Sequence, residues 1–135
     1  MSAPTPPPPG TTDSALATAA RALDRAIDAP YGQGATLERW RRLTQGHLLD
    51  LRSALTAESD RAEDGWLAAR SGGLQRERDA LVGRAAALLG AALGTPDVER
   101  LRADLRRFLG DVAHHLQRRH DLAYDAVELE LGGSE

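Results

Sequence analysis

A chain of 135 residues without cysteine is long enough for one domain with a real core, and it can form no disulfide, thiolate metal site or thiol nucleophile. All 17 basic residues are arginines, yet 20 acids leave the net charge at −3, which gives no general pull toward nucleic acid or an anionic membrane. No apolar run approaches the ~20 residues of a bilayer-spanning helix, and the N-terminus has neither the basic region nor the apolar core of a signal peptide; a soluble cytoplasmic protein is expected.

Residues 1–12 are rich in proline, which favours an extended polyproline conformation and cannot pack a core. They read as a disordered tail, the alternative being a ligand for a proline-binding domain. A first helix is expected over 13–28, with Leu16, Ala20, Leu23 and Ile27 inward and Asp24 on the solvated flank. Asp28-Ala29-Pro30 stops it, because the residue before proline disfavours the helical region. Gly32 and Gly34 belong to a connection rather than a phosphate loop, since no strand precedes them and no Gly-Lys-Ser/Thr follows.

A second helix over 36–57 starts with Thr36 as a plausible cap. Leu37, Trp40, Thr44, Leu48, Leu51 and Leu55 form its inner stripe. Arg39, Arg41 and Arg42 read as arginines on a solvated face, or as one stacked on Trp40; single-strand binding would want a larger basic patch and more aromatics. His47 lies on the flank of the stripe, as a hydrogen-bonded boundary residue or a ligand. Glu58 to Asp64 is acidic but lacks the order of a calcium loop, so a solvated turn is expected. Trp66 and Leu67 suggest a short turn that lids one bundle end, and Ser71-Gly72-Gly73 a break or kink.

The third helix is expected over 74–93, with Leu81, Ala85, Leu88 and Ala92 inward, Glu77 and Arg78 on the flanks, and Gly94 in a left-handed cap. The fourth spans 96–128. Thr95 can cap it, Pro96 fits its first position, and Asp97 and Glu99 complement the helix dipole. Its apolar face is Val98, Leu101, Leu105, Phe108, Leu109, Val112, Leu116, Ala123 and Val127. On a 100° wheel His114 points outward, His115 and His120 sit on the two flanks, and Arg119 falls inside the stripe. Arg119 either snorkels to water near the helix end or faces a carboxylate on another helix. Leu129 and Leu131 alternate with acids in a fraying last turn or short extended tail, and 132–135 should be mobile. Four amphipathic helices with short links make an all-α, antiparallel up-and-down four-helix bundle over 13–131 the natural solution.

The run from His114 through Arg118-Arg119-His120 to Leu122-Ala123-Tyr124 resembles the last helix of the hemerythrin-like (HHE) four-helix bundles, which typically read His, spacers, Glu-Glu, then a Leu-aromatic ending. The first helix ending at Ala29-Pro30, the loop at Asp64-Gly65-Trp66 and the third helix near Leu74 are similar to that family's layout. The resemblance covers roughly 13–133 and implies the hemerythrin-like bundle. In that family a non-haem di-iron centre is held by histidines and bridging carboxylates. Here the Glu-Glu position is Arg118-Arg119, and Arg78 aligns with a ligand histidine of the third helix. A guanidinium has no lone pair for iron. The resemblance therefore implies the scaffold, and the substitutions argue against the metal.

No serine stands in a strand–elbow–helix context, and no carboxylate pair sits at a stripe centre. His115 and His120 are five residues apart, off the i, i+4 spacing of a helical zinc site. Two readings remain. One is a residual non-haem iron site drawn from His47, Glu58, Glu77, His115 and His120, binding oxygen or nitric oxide. The other, to which the substitutions point, is a non-enzymatic bundle without cofactor. There Arg78 and Arg119 form a polar core network with Glu77, Glu58 or Asp24, and the chain binds a protein partner, a second copy or a small ligand.

Overall fold

Four helices and two tight connections make up the described chain. The computed structural model describes the backbone of residues 11–58 and 67–132, and the side chains of 15–57, 72–122 and 124. Helix α1 is Thr11–Asp28, α2 Ala35–Glu58, α3 Leu67–Gly94 and α4 Val98–Gly132. Each helix packs on the next and α4 closes back on α1, so the chain is an all-α four-helix bundle with neighbouring helices antiparallel. No described helix is long and apolar enough to cross a membrane. The expected tail at 1–10, the acidic turn with Trp66, the side chains of Glu58, Ala123 and Val127, and residues 133–135 lie outside the described residues.

Period explains the core. On α4 the residues Val98, Leu101, Leu105, Phe108, Val112 and His115 are all buried, in alternating steps of three and four. This is the repeat of a helix that keeps one seam against its neighbours. Leu16, Leu23 and Ile27 of α1 meet this seam with Leu48, Leu51 and Leu55 of α2 and Leu81, Ala85 and Leu89 of α3. Phe108 and Leu105 are fully buried; truncating such a leucine to alanine removes about 2–5 kcal/mol.

The helix ends are held by side chains more than by glycine. The Trp40 Nε1–H donates to the Ala26 carbonyl at 2.9 Å, in the last turn of α1. Arg41, only 6% exposed, donates from Nη1 to the Ala92 carbonyl at 3.2 Å and from Nη2 to the Thr95 carbonyl at 2.7 Å. Carbonyls of a helix's last turn have no intrahelical partner; consecutive residues of α2 thus satisfy the C-termini of both α1 and α3. Arg41 is neither solvated nor stacked on Trp40, as its sequence position suggested. Gly94 is not left-handed either: among the described residues the positive-φ glycines are Gly32 and Gly34, and the Arg41 guanidinium does the work expected of a glycine cap.

Other ends also differ from expectation. Asp97, not Thr95, caps α4, its Oδ1 accepting the Arg100 N–H at 3.1 Å. The short acid fits the N-cap position while Pro96 stays outside the helix. Helix α2 starts at Ala35, one residue before Thr36; the Gly34 carbonyl accepts the Glu38 N–H at 3.0 Å, a turn that Gly34 permits with φ of 60°. Helix α3 runs straight through Ser71-Gly72-Gly73 from Leu67, because glycine lowers helix propensity without forbidding the conformation. Helix α1 takes in Thr11 and Thr12, and α4 stays helical to Gly132.

Gly83 and Gly90 stand in the interior of α3, and a Cβ at either would meet nothing within 4 Å. Each weakens the helix by about 1 kcal/mol relative to alanine, and nothing inside the bundle calls for them.

Arg41→Met is expected to destabilise the bundle by about 2–3 kcal/mol, because two charge-assisted hydrogen bonds to orphan carbonyls are lost. The exposed neighbour Arg42→Met should stay within about 0.5 kcal/mol. Equilibrium urea unfolding of the two variants measures the difference.

Candidate functional site

Helices α3 and α4 bring the chemistry-bearing side chains together. His115 continues the three–four seam of α4 and is 1% exposed, so it is a core residue and not a flanking one. The wheel misplaces it because Leu116, only half-buried, draws the stripe one residue too far round. His115 Nδ1 lies 2.8 Å from Oε1 of Glu77, on α3 and 38 residues away in sequence. The carboxylate can only accept when ionised, so the ring nitrogen is the donor. Glu77 Oε2 accepts from Arg118 Nη1 at 2.7 Å. One half-buried carboxylate therefore has an oxygen turned to the core and another turned to the surface.

Arg78 lies beside this group with a side chain only 9% exposed, and its Nη2 reaches Oδ1 of the exposed Asp79 at 3.2 Å. Its partner is its own neighbour in sequence rather than Glu77. A guanidinium at that depth is tolerable because its hydrogen-bonding head stays at the rim while the stem packs inside. Arg119, one turn beyond His115, is half-buried. Among the other candidates, His47 on α2 is half-buried and His120 is exposed. Of the proposed ligand set the structure joins His115 to Glu77; among the described residues there is no group of three or more His, Asp or Glu able to hold a metal ion.

A second polar cluster ties the α1–α2 connection to α4. The Tyr31 hydroxyl donates to Glu99, Arg102 contacts Glu99 at 3.2 Å and covers the Tyr31 ring at 5.4 Å, and Tyr31 leans on Trp40 with ring centroids 5.4 Å apart. Arg106 reaches Asp28 at 2.8 Å. The hydrogen bond to Glu99 pushes the Tyr31 phenol above its ordinary value, and the same bond holds Glu99 below the usual carboxylate range. Between α1 and α4 runs an open groove of about 430 Å³, floored by Ala17, Ala20 and Leu109 with Arg21, Asp24 and Arg106 around it. The Arg84 guanidinium bridges to Asp111 at 2.5 Å and stacks 5.4 Å from the centroid of Phe108.

Sequence reasoning missed Arg41 and the Tyr31–Glu99–Arg102 cluster. The first was visible: Leu37, Arg41, Thr44 and Leu48 are spaced four, three and four, which puts Arg41 on the inner face. The second joins residues 68 apart, and no local pattern announces it.

Comparison of the chain with protein-family models, curated proteins and solved structures finds no match.

Two outcomes follow. Glu77→Ala should destabilise by about 1.5–3 kcal/mol, because the buried His115 Nδ1 loses its carboxylate, whereas Arg118→Ala should change stability by less than about 1 kcal/mol; thermal and urea unfolding report both. Glu99, depressed below 4.5, contributes stability that is present above 4.5 and lost as pH falls through its folded value. Tyr31, raised above 10.0, contributes stability present below 10.0 and lost as pH rises through its folded value. Tyr31→Phe should remove the late-titrating phenol from the alkaline absorbance titration and move the Glu99 pKa upward by carboxyl NMR, the Arg102 and Arg106 guanidiniums still holding it down.

Proposed function

We propose that this chain is a non-enzymatic binding module: a hemerythrin-like bundle whose iron positions have been given over to arginine, and which works through contact with another protein. The observation that carries the reading is the occupancy of Glu77. Both of its oxygens are engaged, one by His115 and one by Arg118. A bridging carboxylate needs its lone pairs free for two irons and a cation-free setting. The residues present do not fit a di-iron centre, and no chemical step is derived through one.

Among the described residues no nucleophile stands in a suitable setting and no carboxylate pair lines a cleft, which supports the same reading. Small-ligand sensing is favoured by a different feature, the α1–α4 groove with guanidiniums of Arg21 and Arg106 at its rim. A residual iron site, with oxygen or nitric oxide as ligand, draws only on the His115–Glu77 pair.

Elemental analysis after expression in iron-supplemented medium tests the proposal. Iron far below one atom per chain, unchanged in Glu77→Gln, is the expected result. Stoichiometric iron that disappears in Glu77→Gln or His115→Ala would overturn it.

A further inference from the structure

Helices α1 and α4 are the most loosely joined of the four neighbouring pairs. The residues between them are small, Ala17 and Ala20 on one side and Gly110 and Ala113 on the other, and they leave the groove of about 430 Å³. Leu109 and Leu116 complete its apolar floor. The charges around it cancel: Arg21 stands with Asp24 in the lining, and Arg106 is engaged by Asp28 at 2.8 Å. A balanced rim over an apolar floor does not select an ion. It suits a neutral, apolar occupant that carries hydrogen-bond acceptors for the two guanidiniums, which can only donate.

We propose that the occupant is the chain's own segment 1–10, folded back along α1 as a polyproline strap. This segment joins α1 at Thr11, carries no ionisable side chain, and holds prolines at positions 4 and 6 to 9. Its length fits. At 1.5 Å per helical residue, the groove runs from about 9 Å beyond Thr11, at Ala17, to about 20 Å, at Asp24. At 3.1 Å per residue, a polyproline run laid back from Gly10 sets Pro9 about 3 Å and Pro4 about 19 Å along the same line. Gly10 supplies the freedom for the reversal. Proline has no N–H, so these residues strand no donor on the apolar floor, while their carbonyls face Arg21 and Arg106. The groove lacks the aromatic walls by which separate domains grip proline-rich peptides, so an unattached peptide would hold poorly there. Attachment at Thr11 supplies an effective concentration on the order of millimolar, which singles out this chain's own segment over a foreign one. Any ligand of the groove would then have to displace the strap. The groove lies on α1 and α4 and Glu77 on α3, so this inference stands apart from the binding-module reading and from the chain's iron content.

Paramagnetic broadening in the full chain tests this, because a chain without cysteine accepts a single nitroxide at Ala3→Cys. The expected result is stronger broadening of the Asp24 and Arg106 amides, at the far end of the groove, than of Ala17 and Leu116 at the near end. A segment swinging freely from Thr11 gives the reverse order, strongest beside its anchor, and that order would overturn the proposal. Ala113→Glu sets a charge in the floor beneath the prolines. Ala113 is exposed and glutamate is a good helix former, so the variant remains folded, as circular dichroism verifies. It should abolish the excess broadening at Asp24 and Arg106; an unchanged pattern would count against the groove as the docking place. In a mixture of spin-labelled chains with isotope-labelled, spin-free chains, no broadening at Asp24 is expected. Broadening there would mean that the segment comes from a second copy, and would overturn the intramolecular strap.

Discussion

Two consecutive side chains near the start of α2 set the register of the whole bundle. The Trp40 indole closes the end of α1 and the Arg41 guanidinium closes the end of α3. Antiparallel helices held by leucine and alanine alone can slide by a turn at modest cost, because one apolar layer resembles the next. Directional hydrogen bonds to orphan carbonyls remove that freedom, since any slip leaves a buried guanidinium unpaired. The Tyr31–Glu99–Arg102 cluster acts at the same end of the bundle, tying the α1–α2 connection to the first turn of α4. With that end pinned, the far half of α3 is placed against the far half of α4, and Glu77 has His115 opposite it.

The consequence is a polar layer whose members are largely used up by one another. Glu77 divides its two oxygens between a core histidine and a surface arginine. Buried polar groups of this kind add little net stability but make other packings worse, because each alternative strands a donor or a charge. The layer thus specifies one arrangement of α3 on α4. It leaves little lone-pair density on Glu77 for a ligand between these two helices.

Much of this architecture is legible in the residue order. The stripes through Leu16, Leu23 and Ile27, through Leu48, Leu51 and Leu55, and through Leu101, Leu105 and Phe108 are unambiguous, because aliphatic residues at steps of three and four have one way to be buried. Polar residues on those same stripes were harder to place. Arg41 and His115 occupy seam positions as surely as their apolar neighbours, yet hydrophobicity alone assigns them to the surface or the flank. Helix ends were harder still. Gly94 and Thr95 carry the local chemistry of a stop and a start, but the decision was made by Arg41, 51 residues before the Ala92 carbonyl it meets, and by Asp97. Gly72-Gly73 shows the converse: a weak local preference for a break gives way when the flanking turns are helical.

The claim at the centre of this account is that the α3–α4 layer is satisfied by its own side chains. Titrating a paramagnetic divalent ion such as Mn²⁺ into isotope-labelled protein addresses it directly. The account predicts broadening scattered over surface carboxylates, with the resonances of Glu77, Arg78 and His115 unaffected at stoichiometric metal. Selective loss of the Glu77 and His115 signals at one equivalent would contradict it.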